Sequence, residues 1–194
     1  RIIRHCLEIL EGGGRDTDMD EVENILSLFS RDHGSADITS SLQCGVGRDT
    51  AAFIRRSEPY EPVPLKLSGE TVIPAGSERI VAEKARNNTK ADGRMTVLVS
   101  SGITLKYGGI SVGQVKRGES MVPFGMREEV KISDLISASP LPKVMRRTMP
   151  VVRAGAMPIW VPGIRSSECL RIPGSEMGTD EVLLLTYKDG IRWY

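Results

Sequence analysis

The sequence is poor in the residues that build metal sites and disulfide frameworks. It contains three cysteines and two histidines in 194 residues, with no Cys-x-x-Cys spacing and no His-Glu-x-x-His pattern. Metal sites and redox pairs depend on such spacings. We therefore predict that this chain holds no metal.

Long apolar runs are absent as well. The sequence has no run of 18 apolar residues, and its first residues lack the charged, apolar and small-residue succession of a secretory signal. We therefore expect a cytoplasmic location and no membrane partner. A hydrophobic content of 40% still allows a buried core.

The net charge of +1 argues against indiscriminate nucleic-acid binding, but the charges are unevenly distributed. Residues 1–39 contain nine acids and four bases. Residues 135–167 contain no acid and five bases. Those bases are Lys143, Arg146, Arg147, Arg153 and Arg165. This basic stretch is either a solvated charged face or an anion-binding surface, and composition leaves both open.

A glycine-rich stretch at residues 12–17, GGGRDT, is similar to the S-G-G-x-D-S phosphate loop of the ATP pyrophosphatases. Such a loop follows a buried parallel strand. Here apolar residues recur at helical spacing on both sides, and Asp18 has the pattern of a helix N-cap. We therefore predict that the glycines join two helices and bind no phosphate. No nucleophile–base pair or carboxylate dyad is recognisable either, so no catalytic residue is predicted.

The periodicity predicts an α+β fold, in which a short helical segment precedes a mixed, mainly antiparallel β-sheet domain with one or two short helices. A helix is expected from about Ser133 to before Pro140. Residues 84–92 are polar and are expected to form a loop or linker. The β-prone runs are 41–46, 50–55, 64–67, 95–99, 103–107, 158–161, 169–172 and 182–187.

The most specific pattern begins at Arg117 and reads RGESMVPFGMREEVKISDLI, followed by LPKVMRRTMPVV and then IWVPGIR. This succession resembles the C-terminal domain of tRNA(Ile)-lysidine synthetases. The matched blocks are a Gly-Glu pair, a Pro-x-Gly-Met loop, a Lys-x-Ser-Asp helix start, an Arg-rich turn ending in proline, and a Trp-Val-x-Gly-x-Arg strand. Their residues are Gly118, Glu119, Pro123, Gly125, Met126, Lys131, Ser133, Asp134, Arg146, Pro150, Trp160, Val161, Gly163 and Arg165.

The resemblance extends upstream. Residues 18–29, DMDEVENILSLF, are similar to a helix of the family's middle, substrate-binding domain, and residues 67–74, LSGETVIP, to the entry of its C-terminal domain. We therefore expect residues 1–62 to be the end of the middle domain with a β-hairpin. Residues 63–194 are expected to form the tRNA-binding C-terminal domain. Since the first residue is Arg1, we also expect the catalytic N-terminal domain to lie outside this chain.

The resemblance implies the function of the full enzyme, which uses ATP and magnesium to ligate lysine to the wobble cytidine of a CAU anticodon. The implied partner is tRNA(Ile), and no cofactor is expected in this chain. A folded domain reads an RNA stem through its shape and through cations on a rigid scaffold. We predict that the nucleic-acid-binding residues are Gly125, Arg127, Lys131, Lys143, Arg146, Arg147 and Arg165. Trp160 is expected in the core.

An alternative remains open, because several cations of the family pattern are replaced. Val130, Thr148 and Cys169 stand where the family has Lys or Arg. The chain could instead be a noncatalytic protein-interaction module with no RNA role. Oligomeric state is likewise open, and a homodimer is one alternative.

Overall fold

The computed structural model describes residues 1–11, 18–31, 33–47, 50–56, 58–74, 76–172 and 181–190. The GGGRDT stretch lies outside the described residues. The chain divides into two compact units, Arg1–Ser57 with Pro140–Arg147, and Glu58–Ser139 with Thr148–Tyr194. The domain boundary expected between residues 62 and 63 stays a prediction.

The first unit places two helices on a small antiparallel sheet. Helix α1 spans Ile2–Glu11, and α2 spans Met19–Phe29 with Asp18 as its N-cap, as the periodicity predicts. The sheet order is β1 (Gly34–Asp37), β2 (Leu42–Gly47), β3 (Thr50–Arg55). Its core is formed by Leu7, Ile25, Leu28, Leu42, Cys44 and Val46.

The segment 140–147 belongs to this first unit because it packs on β2. A Cβ atom on Gly45 would lie 2.3 Å from Val144 Cγ2 and 3.3 Å from Pro142 Cβ. The 3-10 turn Lys143–Met145 therefore sits where any larger residue at position 45 would clash with it. Glycine at this position is a packing requirement that the sequence pattern does not reveal.

The second unit contains a five-stranded and a four-stranded antiparallel sheet, with a short hairpin. The order of the first is β13-β12-β11-β8-β4, and that of the second is β5-β6-β14-β7. The hairpin pairs β9 with β10. The strands are β4 (Val63–Pro64), β5 (Gly69–Val72), β6 (Arg79–Arg86), β7 (Thr96–Ser100), β8 (Ile110–Gln114), β9 (Ser120–Met121), β10 (Val130–Lys131), β11 (Pro150–Ala154), β12 (Met157–Val161), β13 (Arg165–Ser166) and β14 (Glu181–Lys188). This architecture confirms the predicted α+β class.

One hydrophobic core is shared by the two large sheets of this unit. Val112, Val152 and Ile159 of one sheet cluster with Val99 and Leu185 of the other. Trp160 is fully buried in the same cluster, and its Nε1 donates a hydrogen bond to the carbonyl of Arg94 at 2.9 Å. The prediction that Trp160 belongs to the core is thus confirmed.

Two predictions of local structure are wrong, and a third is correct only in part. Residues 103–107 form part of helix α3 (Ser101–Tyr107), not a strand. Ile103 and Tyr107, four residues apart, both pack against the core, while Leu105 is 85% exposed. Residues 169–172 follow a strand pattern, but Glu168–Leu170 is a 3-10 turn. Of the polar run 84–92, residues 84–86 belong to β6, whereas residues 87–92 form the expected loop between β6 and β7.

The helix expected near Ser133 is present as α4 (Ile132–Ser137), with Ile132 and Ile136 buried. Among the described residues, no helix has the length and apolar character needed to cross a membrane.

Candidate functional site

The 3-10 turn of the first unit exposes two of the predicted cations. Met145 is buried and holds the turn in place, while Lys143 and Arg147 are exposed. Arg146 is half-buried, and its Nε donates to the carbonyl of Leu141 at 3.3 Å. Lys143 and Arg147 therefore carry charge that a ligand can reach, whereas Arg146 also supports the turn.

In the second unit, the segment Pro123–Met126 forms a tight turn, which we call the Pro123 turn. The amide of Met126 donates to the carbonyl of Pro123 at 2.9 Å, and Gly125 has a φ of +83°. That left-handed conformation favours glycine. The amide of Gly125 donates to Glu168 Oε2 at 2.7 Å. The conformation of the turn thus explains why position 125 is a glycine. The amide of Gly125 already donates to the carboxylate of Glu168.

Glu168 links the Pro123 turn to Arg171. The guanidinium of Arg171 binds both carboxylate oxygens of Glu168, with Nη2 at 3.1 Å from Oε2. Hydrogen bonds from Arg171 and from the Gly125 amide hold the pKa of Glu168 below its usual value, against a smaller opposing effect of burial. The guanidinium carbon of Arg171 lies 4.7 Å from the centroid of the Phe124 ring.

The remaining predicted residues of the second unit lie near this turn in sequence or in space. Arg165 is half-buried, and its Nη2 donates to the carbonyl of Phe124 at 3.0 Å. Arg127 and Lys131 are exposed. Lys131 is the N-cap residue of α4, a position where the helix dipole disfavours a cation. The stability of α4 therefore does not explain why position 131 is a lysine.

Arg153, which the charge distribution groups with the basic stretch, is not a surface cation. Its side chain is 2% exposed and forms two hydrogen bonds to Glu119, Nε–Oε1 at 2.5 Å and Nη2–Oε2 at 2.7 Å. The same guanidinium donates to the carbonyls of Gln114 and Val151. Glu119, part of the Gly-Glu pair of the family pattern, thus has a structural partner.

The structure brings together Gly125 and Arg165, through the backbone of Phe124, and it adds three residues that the sequence interpretation did not select. These are Phe124, Glu168 and Arg171. One signal could have found Phe124: a large aromatic residue inside a Pro-x-Gly turn, where small or polar residues are usual. Glu168 and Arg171 lie more than 40 positions further along the chain, and no local pattern connects them with the turn.

Within the described ranges, no group of three or more His, Cys, Asp or Glu side chains could hold a metal ion. Each unit exposes two of the predicted cations, Lys143 and Arg147 in the first and Arg127 and Lys131 in the second.

Two curated proteins similar to this chain carry the same name. The chain is 26% identical over 178 residues to a tRNA(Ile)-lysidine synthase of Symbiobacterium thermophilum, covering 84% of this chain and 36% of that protein. It is 36% identical over 55 residues to a tRNA(Ile)-lysidine synthase of Geobacter sulfurreducens, covering 28% and 12%. The chain thus spans about a third or less of the length of these relatives. No protein-family model matches it.

Among solved structures, the TILS C-terminal domain matches with a TM-score of 0.57 and 22% identity. The match covers 66% of this chain and 95% of that domain. The chain is therefore similar in sequence to tRNA(Ile)-lysidine synthases over most of its length, and it contains the fold of the TILS C-terminal domain.

Proposed function

We propose that this chain is the tRNA-recognition portion of a tRNA(Ile)-lysidine synthase. The observation that carries the proposal is the sequence similarity to the Symbiobacterium thermophilum enzyme over 84% of the chain. The exposed cations of both units support it, because RNA stems are held mainly through phosphates and 2′-hydroxyls. A protein-interaction module without an RNA role is not favoured, because both curated relatives carry the name of a tRNA-modifying enzyme.

In the proposed reaction, ATP and magnesium serve the full-length enzyme, which joins lysine to the wobble cytidine of tRNA(Ile) with a CAU anticodon. The role of this chain is to bind and orient that tRNA in the cytoplasm. Its own contribution is electrostatic, through Lys143 and Arg147 of the first unit and Arg127 and Lys131 of the second. We expect the chain alone to bind tRNA and to form no lysidine.

The test is a titration of the 194-residue chain with unmodified tRNA(Ile) carrying CAU, at several salt concentrations. Arg147→Ala should weaken binding and lower the slope of log K against log salt by about one, since one phosphate contact is lost. Lys106→Ala removes an equal charge from α3 and is the matched control. Binding that does not depend on salt, or equal binding to a scrambled RNA of the same length, would contradict the proposal.

A further inference from the structure

The Pro123 turn presents a partly exposed aromatic ring, that of Phe124. Phe124 is 40% exposed and Met126 is 43% exposed, although both are large apolar side chains. In contrast, Pro123 of the same turn is buried. Adjacent exposed apolar side chains of this kind are a frequent feature of binding surfaces.

The Pro123 turn is held rigidly. The Phe124 amide donates to the carbonyl of Ser166 at 2.8 Å, and its carbonyl accepts from Arg165. Glu168, at the start of the 3-10 turn Glu168–Leu170, accepts from the Gly125 amide, and its own amide donates to the carbonyl of Val122 at 2.8 Å. Because the backbone is already ordered, little conformational entropy is lost when a ligand contacts the ring.

Charge alone does not select this turn as an RNA contact. Arg171 is paired with Glu168, and Arg165 donates to the carbonyl of Phe124. Phosphate attraction by these two arginines should therefore be weak. The guanidinium of Arg171 lies over one face of the Phe124 ring. What the turn offers is the exposed part of that ring, backed by the guanidinium.

We propose that the Phe124 ring, with Arg171, is a stacking site for an unpaired base of a bound RNA. Unpaired bases stack on aromatic rings and on guanidinium planes, whereas bases inside a duplex are not accessible to them. This inference rests on the proposed function, because it assigns a second type of contact to the same RNA partner.

The test uses the full chain, a short single-stranded RNA of mixed sequence and its blunt-ended duplex. Phe124→Ala should lower the affinity for the single strand about 5- to 100-fold, the range expected for one stacked base. The salt slope should stay unchanged, because no phosphate contact is removed. Leu105→Ala, which removes another exposed apolar side chain of the same unit, is the control and should bind as the wild type does.

Two further variants separate stacking from a general apolar contact. Phe124→Leu keeps an apolar side chain without a ring and should bind as weakly as Phe124→Ala. Phe124→Trp should retain binding, and its fluorescence should be quenched by the single strand. Circular dichroism of each variant verifies the fold.

Three results would overturn the stacking proposal alone. In the first, Phe124→Ala binds the single strand as the wild type does; in the second, Phe124→Leu does. In the third, Phe124→Ala loses as much affinity for the blunt-ended duplex as for the single strand. In that case the exposed ring is better explained by contact with a protein surface. Absence of salt-sensitive RNA binding by the wild-type chain would overturn the proposed function as well, so the two failures can be told apart.

Discussion

The ion pair between Arg153 and Glu119 lies almost wholly out of solvent, with both carboxylate oxygens accepting from one guanidinium. Replacing such a pair by apolar residues can be neutral, but removing only one partner leaves a buried charge without compensation. The pair also fixes the turn at residues 116–119, because the amide of Lys116 donates to Glu119 Oε2 at 2.9 Å. Its energetic weight therefore exceeds that of any exposed ion pair described above.

Glu119→Gln should destabilise the second unit by about 3–5 kcal/mol at pH 7, because Arg153 loses its counter-charge. Urea unfolding followed by tryptophan fluorescence measures the change. Glu83→Gln, which alters an exposed carboxylate on β6, is the control and should change stability by less than about 0.5 kcal/mol. A loss for Glu119→Gln no larger than that of the control would contradict the role assigned to this pair.

The same pair predicts a pH dependence. Burial by itself would raise the pKa of Glu119, but hydrogen bonds from Arg153 and from the Lys116 amide outweigh it and lower the pKa. The unfolded chain, with a glutamate pKa of about 4.3, then binds the proton more readily than the native state. The stabilisation is present above about pH 5 and is lost as the pH falls through the lowered native pKa. The difference in free energy of unfolding between the wild type and Glu119→Gln should therefore narrow as the pH falls below about 5. A difference that does not change with pH would contradict this argument.

At the scale of elements, the position of the basic turn in the first unit depends on β2. The turn 140–147 approaches β2 closely because Gly45 carries no side chain. This approach determines where Lys143 and Arg147 reach solvent. A small residue in a strand thus controls the placement of two charges about 100 positions away.

Gly45→Ala should cost about 1–3 kcal/mol, because the new methyl group would overlap Val144. The double variant Gly45→Ala/Val144→Ala should be more stable than the sum of the single changes indicates, since Val144→Ala removes the clashing methyl groups. Thermal or urea unfolding of the four proteins in the cycle measures this coupling. Strict additivity would show that the two residues do not compete for the same space. Gly102→Ala is a control, because its Cβ would meet only Ser100 Oγ at 3.7 Å.

At the scale of the whole molecule, the proposed function predicts that exposed cations of each unit contact phosphates of the bound RNA. We expect Lys143→Ala/Arg147→Ala and Arg127→Ala/Lys131→Ala each to lower the salt slope of tRNA binding by about two. All four changes together should lower it by about four. The double change Lys66→Ala/Lys106→Ala removes the same charge from other exposed positions and should leave the slope unchanged.

The outcome of this titration assigns the contacts to units. If only one pair of substitutions changes the salt slope, only the unit that carries this pair contacts phosphates. The predicted RNA-binding residues are then restricted to that unit. If neither pair changes it, Lys131, Lys143, Arg127 and Arg147 are solvated charges.

Much of the fold could be predicted from local pattern. Helical spacing identified α1 and α2, and the β-prone runs located β2, β3, β12 and β14, because one buried face leaves a periodic trace in sequence. The end of α4 was predicted from Pro140, since proline restricts the residue before it. The same reasoning failed at residues 103–107, where alternating apolar residues satisfy the strand period but the core accepts Ile103 and Tyr107 on one helical face. Periodicity also does not show which residues of an apolar pattern are buried. Ile2 and Ile9 belong to the apolar pattern of α1, yet both are exposed.

For this protein, the sequence by itself determined the fold class, the Trp160 core position and the resemblance to lysidine synthetases, because these depend on residue types at short spacing. Only the tertiary structure decided which cations remain available. It buried Arg153 against Glu119 and partly engaged Arg146 and Arg165 through backbone carbonyls. It also exposed Phe124 beside Arg171. The physical reason is that a charge or a ring acquires its role from neighbours that lie far away in sequence, and folding alone brings them together.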